Sequence, residues 1–218
     1  MSNLVWPDIL QATWQTLYMV GVSTLFATAL GLPMGVFLVL FSTRHLMQRR
    51  VAYQALAVIV NIIRSVPFII LLIAIIPFTE WIVGTSIGVN AAIVPLTVGA
   101  APFYARVAET ALREVESGVI EAAQAMGASV WQIVWRVLLP EARPGLIAGV
   151  TITAVTLVGY SAMSGVIGGG GLGDLAVRYG YERFETGVML VTTAILVIIV
   201  QCMQMLGDVL VKHYARRS

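Results

Sequence analysis

Apolar residues run through this chain in blocks too long for the core of a soluble domain. No Asp, Glu, Lys or Arg falls within 9–43, 81–105, 144–173 or 186–207. A further apolar block, 51–77, is broken only by Arg64. An α-helix needs about 20 apolar residues to cross the hydrocarbon layer, and each block reaches that length. None alternates with the period of two that a barrel strand shows. Backbone groups inside lipid must be satisfied within the segment, so the blocks predict helices. Five spans are expected, near 17–41, 51–77, 91–112, 144–166 and 186–210, in an all-α membrane protein with one domain over 1–218. Ahead of the first span, residues 7–11 read either as a short helix in the interface or as an extension of span one.

Composition agrees with this pattern. Apolar residues make up 59% of the chain and charged residues 11%, against about 45–50% and about 25% in soluble domains. The first twenty residues hold no Lys or Arg, so a cleaved secretory leader is not expected and the first span stays in place. Cys202 is the only cysteine and is expected to pack as a small apolar side chain. A formal charge of +2 gives no reason to expect nucleic acid as a partner. The basic residues instead fit a topology. Arg44, Arg49, Arg50, Arg113, Arg136, Arg143, Lys212, Arg216 and Arg217 fall on one side of the five-span scheme, against Arg178 and Arg183 on the other. The positive-inside rule then puts the N-terminus outside and the C-terminus in the cytoplasm. Trp6, Trp14, Trp81, Tyr179 and Tyr181 fall where an outer aromatic belt belongs.

Gly21, Gly31, Pro33, Gly35, Pro67, Pro95 and Pro102 lie inside the apolar blocks. Such residues allow kinks and close helix approach. No duplicated half is visible, unlike many secondary transporters. That favours a chain completed by a second copy of itself.

The stretch between spans three and four has its own pattern. Ser117 reads as an N-cap for a short helix over 119–126, with Gly127 at its C′ position. Ser129-Val-Trp-Gln132 has the spacing of a capping box and opens a second helix running to Leu139. Pro140 reads as a boundary, and Pro144 suits the first turn of span four. The expected result is a helical hairpin over 117–140 at the cytoplasmic face. Small Ala122, Ala123 and Ala125 would let a partner approach, with Glu121 as a charged handle.

Glu121-Ala122-Ala123-x₃-Gly127, with Leu139-Pro140 twelve residues past the glycine, resembles the EAA loop of ABC importer permeases. The resemblance extends from about Thr16 to Arg217. It takes in the segments 61–72 (Asn61 to Leu72), 84–103 and 157–163, which look like those of methionine-import permeases. It implies an ABC importer type I permease fold in the bacterial inner (plasma) membrane. It also implies that Glu121, Ala122, Ala123, Ala125, Met126, Gly127, Ala128, Leu139 and Pro140 form a coupling surface. The implied partners are a second copy of the chain, two cytoplasmic ATP-binding subunits that hold ATP and Mg, and an external substrate-binding lipoprotein. The chain itself is expected to bind no cofactor and to catalyse no reaction.

Other residues carry two readings each. Arg64, ahead of Pro67, belongs either to the translocation path or an internal network, or snorkels to the headgroups. Glu109 and Arg113 are spaced for a helical ion pair, with Arg106 one turn earlier, and are expected to organise the inner end of span three. Tyr160, Ser161 and Met163 suit a pore lining and gate, or plain core packing. The glycines at 168–171 lack the Lys-Ser or Lys-Thr of a nucleotide loop, the sole lysine being Lys212. They are expected to form a flexible outer turn. His45 and His213 lie at basic ends and read as solvated.

The function expected from these residues is a permease subunit of an ATP-driven importer. By the resemblance it moves methionine, L- and D-, by alternating access as a homodimer. An ABC permease for another amino acid or small polar solute is the alternative. A secondary transporter or channel would need no coupling loop. An intramembrane enzyme would need convergent catalytic groups, and the sequence offers no nucleophile–base pair or metal spacing.

Overall fold

The computed structural model describes residues 6–42, 47 and 49–215. Arg44, His45, Arg216 and Arg217 lie outside the described residues. Eleven α-helices in chain order carry the fold. They are α1 Trp6–Phe41, α2 Arg50–Ser65, α3 Phe68–Ala74, α4 Ile76–Val83, α5 Val89–Arg113, α6 Ser117–Ala125, α7 Val130–Ile133, α8 Leu139–Glu141, α9 Arg143–Gly165, α10 Gly171–Leu175 and α11 Thr186–Ala215. Two π-helical segments, Val134–Leu138 and Ala176–Tyr181, join α7 to α8 and extend α10.

Among the described residues, α1, α5, α9 and α11 are each long and apolar enough to cross a membrane unbroken. The helices α2 and α3 reach that length and hydropathy only as a bent pair, the geometry of a broken span or a re-entrant loop. The expected single span over 51–77 is therefore corrected: α2 and α3 meet at 103°. Proline is the cause. Pro67 has no amide hydrogen and forces Val66 into extended backbone, φ −79° and ψ 126°. Its carbonyl then starts the new helix by accepting from the Ile70 and Leu71 amides at 2.9 and 3.0 Å. At the N-terminus, α1 is continuous from Trp6, so residues 7–11 extend span one.

α5 is the central post, packed most extensively against α1 and also against α9 and α2. Small residues make the α1–α5 contact possible. A β-carbon on Gly31 would stand 2.5 Å from the Ala101 carbonyl oxygen, and one on Gly35 would stand 2.8 Å from that of Ala105. Spaced four apart on α1, the two glycines let the backbones touch where the hydrophobic effect between helices is absent. The main core lies around this contact, with Met19, Leu96, Leu157 and Leu172 fully buried. A second core at the Arg113 end joins Val36, Val39 and Leu40 of α1 to Leu112 of α5, Ile120 of α6 and Ile133 of α7.

The glycine-rich turn after α9 differs from its expected flexibility. Gly171 through Leu175 are all buried. The Gly171 amide donates to Gln15 Oε1 and the Leu172 amide to Thr16 Oγ1, each at 2.9 Å. A β-carbon on Gly165 would fall 2.2 Å from the Asp174 amide nitrogen. The glycines are there because α10 folds back onto α9 and α1 at backbone contact. The Asp174 carboxylate accepts from Arg178, a hydrogen bond that holds the Arg178 pKa above its ordinary value.

Alanine scanning of the glycines tests the helix contact. Gly31→Ala is expected to lower the denaturation midpoint in detergent and cost about 1–3 kcal/mol, since backbone must move to admit the methyl. Gly21→Ala meets nothing within 4 Å and is expected to gain about 0.5–1 kcal/mol from helix propensity. Equal midpoints for the two variants would refute the close approach.

Candidate functional site

Two features share one scaffold: the hairpin over 117–141 at its basic end and a cleft at the break between α2 and α3, nearer its middle. The hairpin begins with α6, whose N-cap is Glu116 without a side-chain cap bond, so Ser117 is the first helical residue and not the expected cap. Its C-terminus is a Schellman turn. The Gly127 amide donates to the Gln124 carbonyl at 2.9 Å and the Ala128 amide to that of Ala123 at 3.1 Å. Gly127 sits at φ 79°, where a side chain would be strained.

Across the turn, Ser129 and Gln132 close the capping box. The Ser129 amide donates to Gln132 Oε1 at 2.8 Å and the Gln132 amide to Ser129 Oγ at 3.4 Å. The second helix does not stop before Pro140 as expected. It widens into the π-helical segment Val134–Leu138 and continues as α8 with Pro140 in its first turn. The break falls at Ala142, and Pro144 opens α9 in the expected place. The helix runs unbroken from Val130 to Glu141, and the wider π-helical turn just before Pro140 makes room for a ring that has no amide hydrogen to donate.

The faces of the hairpin separate cleanly. Ala123 is buried with Ile120, and half-buried Ala128 and Leu139 pack against the same core. Pro140 is half-buried. Glu121, Ala122, Ala125 and Gly127 are exposed, and Met126 is 82% exposed. Of the three alanines expected to admit a partner, Ala122 and Ala125 face outward, whereas Ala123 holds the hairpin to the bundle. Trp131 and Trp135 extend the exposed apolar surface. The loop motif, Glu121 to Gly127 and then Leu139-Pro140, does not include the two tryptophans.

Directly above the hairpin, Glu109 is buried with its carboxylate shared between two arginines. Arg106 Nη1 donates to Oε2 at 2.6 Å, while Arg113 Nη2 and Nε donate to Oε1 at 2.7 and 3.1 Å. Arg106 Nη2 also reaches Asn61 Oδ1 on α2 at 2.9 Å. The expected Glu109–Arg113 pair is thus half of a network that ties α5 to α2. Asn61 had no visible role in the sequence, because its partner lies on another helix.

The cleft holds about 100 Å³ and is lined by Ile63, Arg64, Phe68, Gly99, Phe103 and Tyr160, among others. The Arg64 guanidinium stands 5.9 Å from the centre of the Phe103 ring. Tyr160 stacks on Phe68, ring centres 4.3 Å apart and nearly parallel at 3°. The bend at Pro67 is what carries Phe68 under Tyr160. Ser161 is buried, and its hydroxyl donates to the Val158 carbonyl at 2.8 Å within its own helix. Met163 is 47% exposed on α9. Tyr160 and Arg64 therefore share the cleft, while Ser161 faces the interior and Met163 the outside of the single chain. Among the described residues, no group of three or more His, Cys, Asp or Glu is placed to hold a metal ion.

Glu109→Gln tests the network. Leaving two arginines around a neutral amide is expected to destabilise the chain by roughly 1–3 kcal/mol, the arginines being partly solvated. Chemical denaturation in mixed micelles reads this directly. An unchanged midpoint would mean that the buried carboxylate holds nothing together.

Comparison with known proteins places this architecture. Residues 31–218 match the family described as binding-protein-dependent transport system inner membrane component. A probable D-methionine transport system permease protein of Vibrio cholerae is 54% identical over 209 residues, covering 96% of this chain and 93% of that one. The methionine import system permease protein of Bacillus subtilis is 45% identical, covering 99% and 97%. A chain of the MetNI methionine ABC transporter, solved in inward-facing conformations, superposes with a TM-score of 0.96 at 50% identity, covering 98% and 99%. An amino acid ABC transporter at 18% identity and a TM-score of 0.75 shares the fold. The chain, with its helical bundle and basic-end hairpin, belongs to the family of binding-protein-dependent transport system inner membrane components.

Proposed function

We propose that the chain is the membrane permease subunit of an ATP-driven importer whose cargo is methionine, in its L- and D- forms. The observation that carries this reading is the likeness over 98% of the chain, at 50% identity, to a chain of a methionine ABC transporter. Relatives named for D-methionine transport support the D- form. Two copies of the chain assemble around a two-fold axis, which gives the exposed Met163 of α9 a partner surface across the axis. ATP and Mg are bound on two separate cytoplasmic subunits, and a substrate-binding lipoprotein delivers cargo from outside.

The geometry suits that division of labour. Hydrolysis elsewhere can move this chain only through contacts that differ between states. Glu121, Ala122, Ala125 and Met126 offer such a contact surface, with Ala123, Ala128, Leu139 and Pro140 behind it. Gly127 sets the turn that keeps the two faces apart. Force on α6 then passes through the second core into α1 and α5, and through the Arg106–Asn61 bond into α2. No catalytic step is assigned to this chain.

Uptake of labelled methionine into proteoliposomes containing the full transporter tests this reading. Uptake is expected to require ATP and the ATP-binding subunits. Glu121→Lys is expected to lower it at least tenfold while the permease stays in the membrane in normal amount. Unchanged uptake without the ATP-binding subunits would sink the coupled mechanism. Failure of methionine to be taken up, with another amino acid accepted, would move the cargo assignment alone.

A further inference from the structure

Among the described residues, the Arg64 guanidinium is the one charged group lining the cleft at the α2–α3 break. Its depth follows from its contacts. At about 1.5 Å per residue, the Phe103 it faces lies about 15 Å along α5 from the Arg113 end and about 21 Å from the Val89 end. Asn61, one turn nearer the basic end of α2, is bonded to Arg106. Arg64 is therefore deeper than the Glu109 network, close to the middle of the span. Its guanidinium lies over the Phe103 ring of α5.

A cation at that depth is costly without an anion or polar partner. Arg106, Arg113 and Arg178 each have a carboxylate. Arg64 has a ring face at 5.9 Å, a weak partner beside a carboxylate. No Asp or Glu lines the cleft. The rest of the lining is aromatic and aliphatic, with the half-buried Tyr160 on the stacked Phe68 opposite. A site of this make-up, one guanidinium in an apolar frame, fits a small molecule with a carboxylate at one end and an apolar side chain at the other. About 100 Å³ is room for about three waters, or for the charged head of an amino acid.

We infer that Arg64 is the counter-ion for the α-carboxylate of the transported amino acid, binding it transiently as it passes the α2–α3 break. The inference rests on the amino-acid cargo proposed above. The guanidinium meets a carboxylate through two parallel N–H donors, a geometry that lysine cannot reproduce. The binding is shallow by design, since one charge pair in a partly open cleft holds cargo without trapping it.

The test compares methionine with methionine amide, which keeps the side chain and loses the carboxylate. Both are presented to full transporter in proteoliposomes, wild type against Arg64→Gln and Arg64→Lys. The wild type is expected to favour methionine. Arg64→Gln is expected to cut methionine uptake at least tenfold, to leave amide uptake within twofold and so to collapse the ratio. Arg64→Lys should retain at least a third of methionine uptake with a raised KM. Selection by the external binding protein is common to all three, so a changed ratio belongs to the permease. Methionine uptake within twofold of wild type in Arg64→Gln overturns the inference and leaves Arg64 to the lipid. Equal loss for methionine and amide overturns it in favour of a structural role. If Arg64→Gln does not assemble, the same comparison in Arg64→Lys decides: a KM raised equally for both compounds overturns the inference. A wild type that takes up no methionine fails the cargo assignment instead.

Discussion

Everything at the basic end of this protein hangs from the contact between α1 and α5. Two glycines on α1 meet backbone atoms of Ala101 and Ala105, so the two long helices behave as one post. Because lipid gives helices no hydrophobic reason to associate, such contact must come from close packing and from polar pairs. Both are present on the same stretch of α5. The face that receives Gly35 also carries Ala108 and the Glu109 backbone, and the Glu109 side chain gathers Arg106 and Arg113. A shift of α1 against α5 would disturb the packing and the charge network together.

The hairpin inherits its rigidity from that post. Val39 and Leu40 of α1 and Leu112 of α5 provide the seat, and Ile120, Ala123, Ile133 and Leu138 fill it. The coupling role proposed for the hairpin needs this arrangement, because a loosely tethered loop would absorb a partner's motion in its own bending. The Schellman turn and the capping box satisfy the amides and carbonyls where the chain reverses. The exposed face is thereby left free of backbone obligations. The Asn61–Arg106 bond carries the linkage one helix further, to the segment that breaks at Pro67.

Much of this was legible in the sequence where the signal is local. Hydrophobic length located four of the five spans, Gly127 marked its turn, and Ser129 with Gln132 marked a cap. The spacing of Glu109 and Arg113 gave their pair. What could not be read depends on a second element. Pro67 signals a bend, but its size is set by how α3 packs on α5 and α9. The glycines at 168–171 look mobile in isolation and become anchored only because Gln15 and Thr16, more than 150 residues away, offer the acceptors. The choice between Ala122 and Ala123 as the inner residue turns on where α1 lies.

Arg64 shows how the same limit bears on function. In the sequence it is one cation in an apolar run, and a snorkelling arginine has the same surroundings as one in a path. In the structure Asn61 and Arg106 tie α2 to α5, and Arg64 lies one turn past them beside the Phe103 ring. The break that brings Phe68 beneath Tyr160 is the same break that leaves Arg64 at the end of a helix, facing open space. Helix α2 therefore has a network residue and a cleft residue on adjacent turns. That ordering places the guanidinium of the cleft within one helical turn of the residue that ties α2 to α5.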